Sequence, residues 1–193
     1  MNDNTTPMAA VEYDKKINNT IPYYTEFYQQ TLDVVEQCKF DKMDWLDLGC
    51  GTGSLEEQAF LRFREMDFVL VDPSEKMLEQ AKEKLKNREV QYICAGSTDI
   101  QFENCFHIVT AIQSHHYMQE DEEIKDFELL RWGRYQQRHG KTEEEAREHN
   151  ARCGVNYFPL TMEQHIKLLK STGFRKVHVF WVSYMQMGIY AIK

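Results

Sequence analysis

The stretch DWLDLGCGTGSLEEQA, residues 44–59, sets glycines at 49, 51 and 53 directly after an apolar run and directly before a helix-forming segment. Glycine is costly in regular structure and is favoured only where the backbone takes positive φ or lets another group come very close. A strand, a tight glycine turn and a helix make the first unit of a parallel α/β sheet. The turn also offers a ligand site, because the helix N-terminus presents free N–H groups and a partial positive charge. The spacing is G-x-G-x-G behind Asp47, not the dinucleotide fingerprint G-x-G-x-x-G, and the absence of a following Lys-Ser/Thr excludes a P-loop.

The rest of the chain extends this pattern. Helical sequence is expected over residues 22–38, with Thr20 as cap and Pro22 in the first turn. MDWLDLG predicts strand 1, LEEQAFLRFRE a helix, DFVLVD strand 2, PSEKMLEQAKEKLKN a helix, VQYICAG strand 3, and FHIVTAIQ strand 4 ending near Ile112. Alternation of this kind predicts a Rossmann-like, doubly wound, mostly parallel sheet with right-handed crossovers. A charged helical segment follows. Thr142 with Glu145 and Thr161 with Gln164 stand in capping-box spacing, each before a helix. The C-terminal residues RKVHVFWVSYMQMGIYAIK predict an antiparallel hairpin turning around Gln186 to Gly188. The 193 residues are expected to form one domain. Residues 1–40 would be an N-terminal lid and helix, 41–118 the cofactor half, 119–160 a helical insertion, and 161–193 a final helix and hairpin.

Asp72 ends strand 2, about 20 residues beyond the first glycine, where a carboxylate can accept both hydroxyls of a ribose. Gly96-Ser97 and Asp99 follow strand 3, where the chain can border an adenine ring. All three loops sit at the carboxyl ends of parallel strands, the side on which open α/β sheets bind ligands. Taken in order, LDLGCGTG, VDPSEKMLEQA, AGSTDIQF and IVTAIQSHHY resemble the successive motifs of the class I S-adenosylmethionine-dependent methyltransferases. The resemblance covers residues 45–118. Through YDKKINNTIPYY it reaches towards the small-molecule and tRNA-wobble-modifying branches of that superfamily.

The resemblance implies that Gly49, Cys50, Gly51 and Gly53 pass beneath the methionine part of S-adenosyl-L-methionine, with Asp47 supporting the loop. It further implies that Asp72 holds the ribose and that Pro73 and Ser74 flank the adenine. Ser97 and Thr98 stand where many members carry an acidic residue near the adenine amino group, and Asp99 is an alternative. The product would be S-adenosyl-L-homocysteine.

Methyl transfer needs an aligned nucleophile in a dry pocket, and a base only if the acceptor must lose a proton. QSHHY follows strand 4 and resembles the segment lining the acceptor side. Gln113 is a candidate contact to cofactor or substrate, Tyr117 a pocket residue, and His115 or His116 a base near neutral pH. Adjacent residues on a strand point opposite ways, so the two histidines cannot both serve. No third ligand has the spacing for a metal, and none is expected. Tyr13, Tyr23 and Tyr24 are candidate lid residues, and Trp181 and Tyr184 candidate pocket walls; ordinary core packing explains an aromatic at each position as well. RWGRYQQRHGK is a local basic patch that could meet an anionic acceptor, although a solvated helix face is the common reason for such a run.

One feature departs from the family. A fifth strand, usually announced by an LKPGG-like turn, is missing after strand 4. Three readings are open: a segment outside this sequence, a deletion in which the final hairpin pairs directly with strand 4, or completion of the sheet by a partner, as in a homodimer exchanging elements. The net charge of −8 disfavours a broad grip on nucleic acid, and no apolar run is long enough to cross a membrane. A polar N-terminus and five cysteines without CxxC spacing suggest reduced thiols in the cytoplasm. The expected function is methylation of a small molecule; the alternatives are methylation of a tRNA base and a non-catalytic S-adenosylmethionine-binding sensor or partner protein.

Overall fold

The structure is a computed structural model and describes residues 8–103, 106–113, 121–156 and 158–193. The chain divides into two compact units, Met1–Lys16 with Leu32–Ser114, and Ile17–Thr31 with His115–Lys193.

The first unit is built on a four-stranded parallel sheet in the order β3-β2-β1-β4, from β1 (Met43–Leu48), β2 (Met66–Asp72), β3 (Val90–Cys94) and β4 (Ile108–Thr110). β1 is central. Its Trp45 is fully buried, stacks on Phe68 at 5.0 Å between ring centroids, and pairs with Phe68 on β2 and Ile108 on β4. Burial of such a ring contributes on the order of 1.5–3 kcal/mol or more. Helices α3 (Ser54–Arg62) and α4 (Glu75–Lys84) are the crossovers. α4 starts where the sequence says it should, with Ser74 Oγ accepting from the Met77 N–H, and it buries Met77, Leu78 and Ala81 along one face.

Helix α1 (Ala10–Thr20) forms where no element was expected. Ala10 and Ile17 give it a buried stripe, and Glu12 pairs with Lys16 one turn on. Thr20 therefore ends α1 instead of capping the next helix, and α2 (Tyr24–Glu36) starts after Pro22 and the left-handed Tyr23. β4 is also shorter than predicted, ending at Thr110 and not near Ile112.

In the second unit α5 (Glu122–Arg138), α6 (Glu143–Asn150) and α7 (Met162–Ser171) precede a hairpin of β5 (Lys176–Ser183) and β6 (Gln186–Ile192). Both expected capping boxes are present, at Thr142 and Thr161. Trp132 on α5 donates from Nε1 to the Thr20 carbonyl at 2.6 Å, and the buried Gln136 donates to Asn150 on α6 at 3.0 Å. The hairpin turns at Tyr184–Met185, two residues before the predicted place. Gly188, read as a turn residue, lies within β6 opposite Trp181, and a Cβ there would stand 2.7 Å from the Phe180 ring. The glycine serves close packing, not turning. Among the described residues the hairpin forms a two-stranded sheet, and β4 pairs with β1.

Candidate cofactor site

The three glycines of the β1–α3 loop all take left-handed backbone, with φ of 78°, 56° and 74° at 49, 51 and 53. The second and third do different work. A Cβ at Gly51 would meet no atom within 4 Å, so this position is open to an approaching group. A Cβ at Gly53 would stand 3.2 Å from both Ala81 and Leu85, so Gly53 lets α4 pack against the start of α3. Gly49 and Cys50 anchor the loop, both donating to the Val71 carbonyl, at 2.7 and 3.1 Å.

Asp72 lies at the end of β2 and is buried. Its Oδ2 accepts from the Gly51 N–H at 2.9 Å and its Oδ1 from the Ser74 N–H at 2.8 Å. The side chain is thus held against the glycine loop. Pro73 and Ser74 follow it, Ser74 buried as the cap of α4. Ser97 and Thr98 are exposed in the turn after β3, where the Asp99 N–H donates to the Gly96 carbonyl at 3.0 Å.

Asp47 is buried on β1 and accepts from Thr110 Oγ1 on β4, which itself accepts from Trp45 Nε1 at 2.9 Å. The surprise is Glu56. It reads as a solvated charge in the first turn of α3, yet it is fully buried, and neither carboxyl oxygen has a hydrogen-bond partner among the described residues. Burial, then the charge of Asp47, push its carboxyl well above the usual glutamate range. Burial and the charge of Asp72 push Asp47 up as well, against the stabilising bond from Thr110. Two buried carboxyls that repel each other each favour the protonated form. The buried Cys50 thiol is raised by burial and by the charges of Glu56, Asp47 and Asp72, so it stays a thiol.

A second cluster ties the loop to α1. Lys84 Nζ, at the end of α4, donates to Asp14 Oδ2 at 2.7 Å, Ser54 Oγ at 2.7 Å and Thr52 Oγ1 at 3.1 Å. Thr52 donates to Asp14 Oδ1 at 2.6 Å. Neither Glu56 nor Lys84 was singled out from sequence. The only available hint was Glu56 falling three residues into a helix that begins at the glycine turn.

The other candidates are placed as follows. Gln113 sits just after β4 with φ 58°. His115, His116 and Tyr117 lie outside the described residues. Tyr13 is half-buried in the first unit. In the second unit Tyr23 is exposed, while Tyr24 is buried against Phe27 and Tyr28 at 5.6 and 5.3 Å. Trp181 packs edge-on against Phe27 at 4.6 Å, and Tyr184 lies 6.4 Å from Tyr23. Among the described residues no cluster of three or more His, Cys, Asp or Glu could hold a metal ion, and none of the four described cysteines forms a disulfide.

Residues 46–129 match the family described as methyltransferase domain. The carboxy-S-adenosyl-L-methionine synthase of Nautilia profundicola is 20% identical over 201 residues, covering 89% of this chain and 86% of that protein. Among solved structures, a protein of Methanococcus maripaludis described as an S-adenosyl-L-methionine-dependent methyltransferase superposes with TM-score 0.58 at 14% identity, over 95% of this chain and 91% of its own. The plantazolicin methyltransferase BpumL, solved with SAH, gives TM-score 0.57 at 17% identity, over 92% and 74%. Two further methyltransferases are matched over only 41% and 52% of their own lengths. Parallel sheet, glycine loop and matched domain together define a Rossmann-like methyltransferase fold. The fold is similar to that of S-adenosylmethionine-dependent methyltransferases of known structure.

Proposed function

We propose that this chain transfers the methyl group of S-adenosyl-L-methionine to a small-molecule acceptor. The observation that carries the reading is the pairing of an open, left-handed Gly51 with the buried Asp72 carboxylate that grips its N–H. The residues fit the cofactor: a cradle that a side chain would fill, and a strand-end carboxylate of the kind that accepts ribose hydroxyls. Asp72 would hold the ribose and the loop 49–53 the methionine part, with Pro73, Ser74 and the 97–99 turn bordering the adenine. When bound, the cofactor supplies a methyl group activated on a sulfonium.

The remaining work falls to the chain's own side chains. Asp47, just before the loop, ties β1 to β4 through Thr110. Burial and the charge of Asp47 favour the protonated form of Glu56, which limits negative charge in that space. Gln113 is the candidate contact for substrate or cofactor, and His115 or His116 the base for an acceptor that must lose a proton. The small-molecule acceptor is supported by the chain's net charge of −8, which offers no general attraction for a nucleic acid. It is supported also by BpumL, which methylates plantazolicin by its name.

Calorimetry with S-adenosylmethionine and S-adenosylhomocysteine tests the cofactor, and methyl transfer to a panel of small acceptors and to unmodified tRNA tests the rest. Binding of both nucleosides with turnover on a small acceptor is expected. Turnover on tRNA alone overturns the acceptor class. Tight binding with no turnover on any acceptor favours a sensor.

A further inference from the structure

The basic run read from the sequence falls on α5 and forms one wall of a cavity in the second unit. The cavity measures about 250 Å³ and is lined by Phe127, Leu130, Arg131, Arg134, Arg138 and Tyr184. Residues 127, 131, 134 and 138 stand at i, i+4, i+7 and i+11 and share a helix face. The arginines are not equivalent. Arg131 is committed: it makes a bidentate pair with Glu128 at 2.8 and 2.9 Å and lies over the Tyr184 ring at 3.9 Å. Arg134 and Arg138 are exposed and have no hydrogen-bond or ion-pair partner among the described residues. Other arginines are committed: Arg62 pairs with Asp33 and Glu36, and Arg147 with Glu144. The helix dipole accounts for Arg138 in the last turn but not for Arg134.

The apolar side is built as well. Phe127 and Leu130 are 62% and 67% exposed, more than large apolar groups on a surface helix usually are. Tyr184 holds a left-handed φ of 53°, a strained state for a tyrosine, and its ring is fixed by Arg131 and by Tyr135 at 5.8 Å. Two uncommitted guanidiniums beside an apolar floor match a ligand with an anionic head and an apolar body. The volume lies just under the range of about 300–1,000 Å³ usual for ligand pockets, which suits a compact molecule.

We infer that this cavity binds a small amphipathic organic anion, a carboxylate or phosphate monoester with an apolar tail or ring. Arg134 and Arg138 hold the head, and Phe127, Leu130 and Tyr184 cover the body. The inference goes beyond methyl transfer and does not require that this ligand be the acceptor.

The test is titration calorimetry on the full chain with four probes sharing one body: octanoate, octyl phosphate, octanol and octylamine. The two anions are expected to bind about tenfold or more tighter than octanol and octylamine, and the tighter of the two identifies the head group. The double variant Arg134→Gln/Arg138→Gln should lose about tenfold or more of the anion affinity, and Arg134→Lys should keep most of it. S-adenosylhomocysteine affinity, read on the same samples, should not change in either variant. Equal affinity for octanol, or anion binding untouched in the double variant, overturns the inference. So does tighter binding of poly-glutamate or a DNA duplex than of either anion, which would make the face a macromolecular surface. Loss of S-adenosylhomocysteine binding in the wild-type chain would instead count against the methyltransferase reading and leave the probe results to stand alone.

Discussion

Asp47 and Glu56 are both buried, and both carboxyls lie above their usual range. A carboxyl raised in the native state binds a proton that the unfolded chain has already lost. Stability is therefore highest below the ordinary glutamate value of 4.5 and falls as pH rises towards the native value. The loss is about 1.4 kcal/mol for each pH unit in which only the native state holds the proton. Glu56→Gln keeps the shape while removing the titration. Urea unfolding should then show a flatter pH dependence above pH 5 than in wild type and a higher midpoint at pH 8; an unchanged profile would mean Glu56 is ionised in the native state. Asp72 makes a different prediction. Removing a charged acceptor costs about 1.5–3 kcal/mol per lost bond, so Asp72→Ala should weaken S-adenosylhomocysteine binding by about tenfold or more in calorimetry. Unchanged affinity would remove the ribose assignment. Asp72 was legible in the sequence, because a strand-end acid a fixed distance after a glycine turn is a local pattern. Glu56 was not: a glutamate in the first turn of a helix is ordinarily solvated, and only the packing of α3 onto the sheet buries it.

Helix α1 and the cluster around Lys84 show the same division among elements. α4 and both capping boxes were readable, since a cap involves residues three apart. α1 was missed because YDKKINNT is rich in polar and weak helix-forming residues. It is held instead by contacts remote in sequence, above all the Lys84–Asp14 pair, whose partners are 70 residues apart. Lys84 is only 17% exposed, so its loss should be felt more than that of a surface pair. Lys84→Met is expected to lower stability by about 1–3 kcal/mol and to speed amide exchange over residues 10–16 and 52–54. Lys84→Arg should restore part of both. Exchange rates unaltered by Lys84→Met would show that α1 is held by its apolar stripe alone. The hairpin turn makes the point from the other side. A glycine invited a turn at 188, but the bulky Phe180 ring claimed that space and the chain reversed at Tyr184.

At the scale of the whole molecule, the glycine loop, Asp72 and the Lys84 cluster all belong to the first unit, and the arginine-lined cavity belongs to the second. A ligand that binds only the native state stabilises it by about 2.7 kcal/mol at a hundredfold excess over its Kd. S-adenosylhomocysteine should therefore raise the melting temperature and slow amide exchange in residues 47–53 and 70–75, with little change over residues 122–138. Protection centred on α5 would move the cofactor to the other unit. By itself the sequence determined the order of strands and helices from β1 to β4, the glycine loop, the acid at the tip of β2 and the helix caps. Each of these is written in residues close together along the chain, as a period, a cap or a left-handed turn. The tertiary structure alone decided that Glu56 is buried, that Lys84 clamps α1 to the loop, that Gly53 and Gly188 yield space to α4 and Phe180, and that three arginines wall a cavity. Those depend on which side chains meet across tens of residues, and no local pattern encodes such meetings.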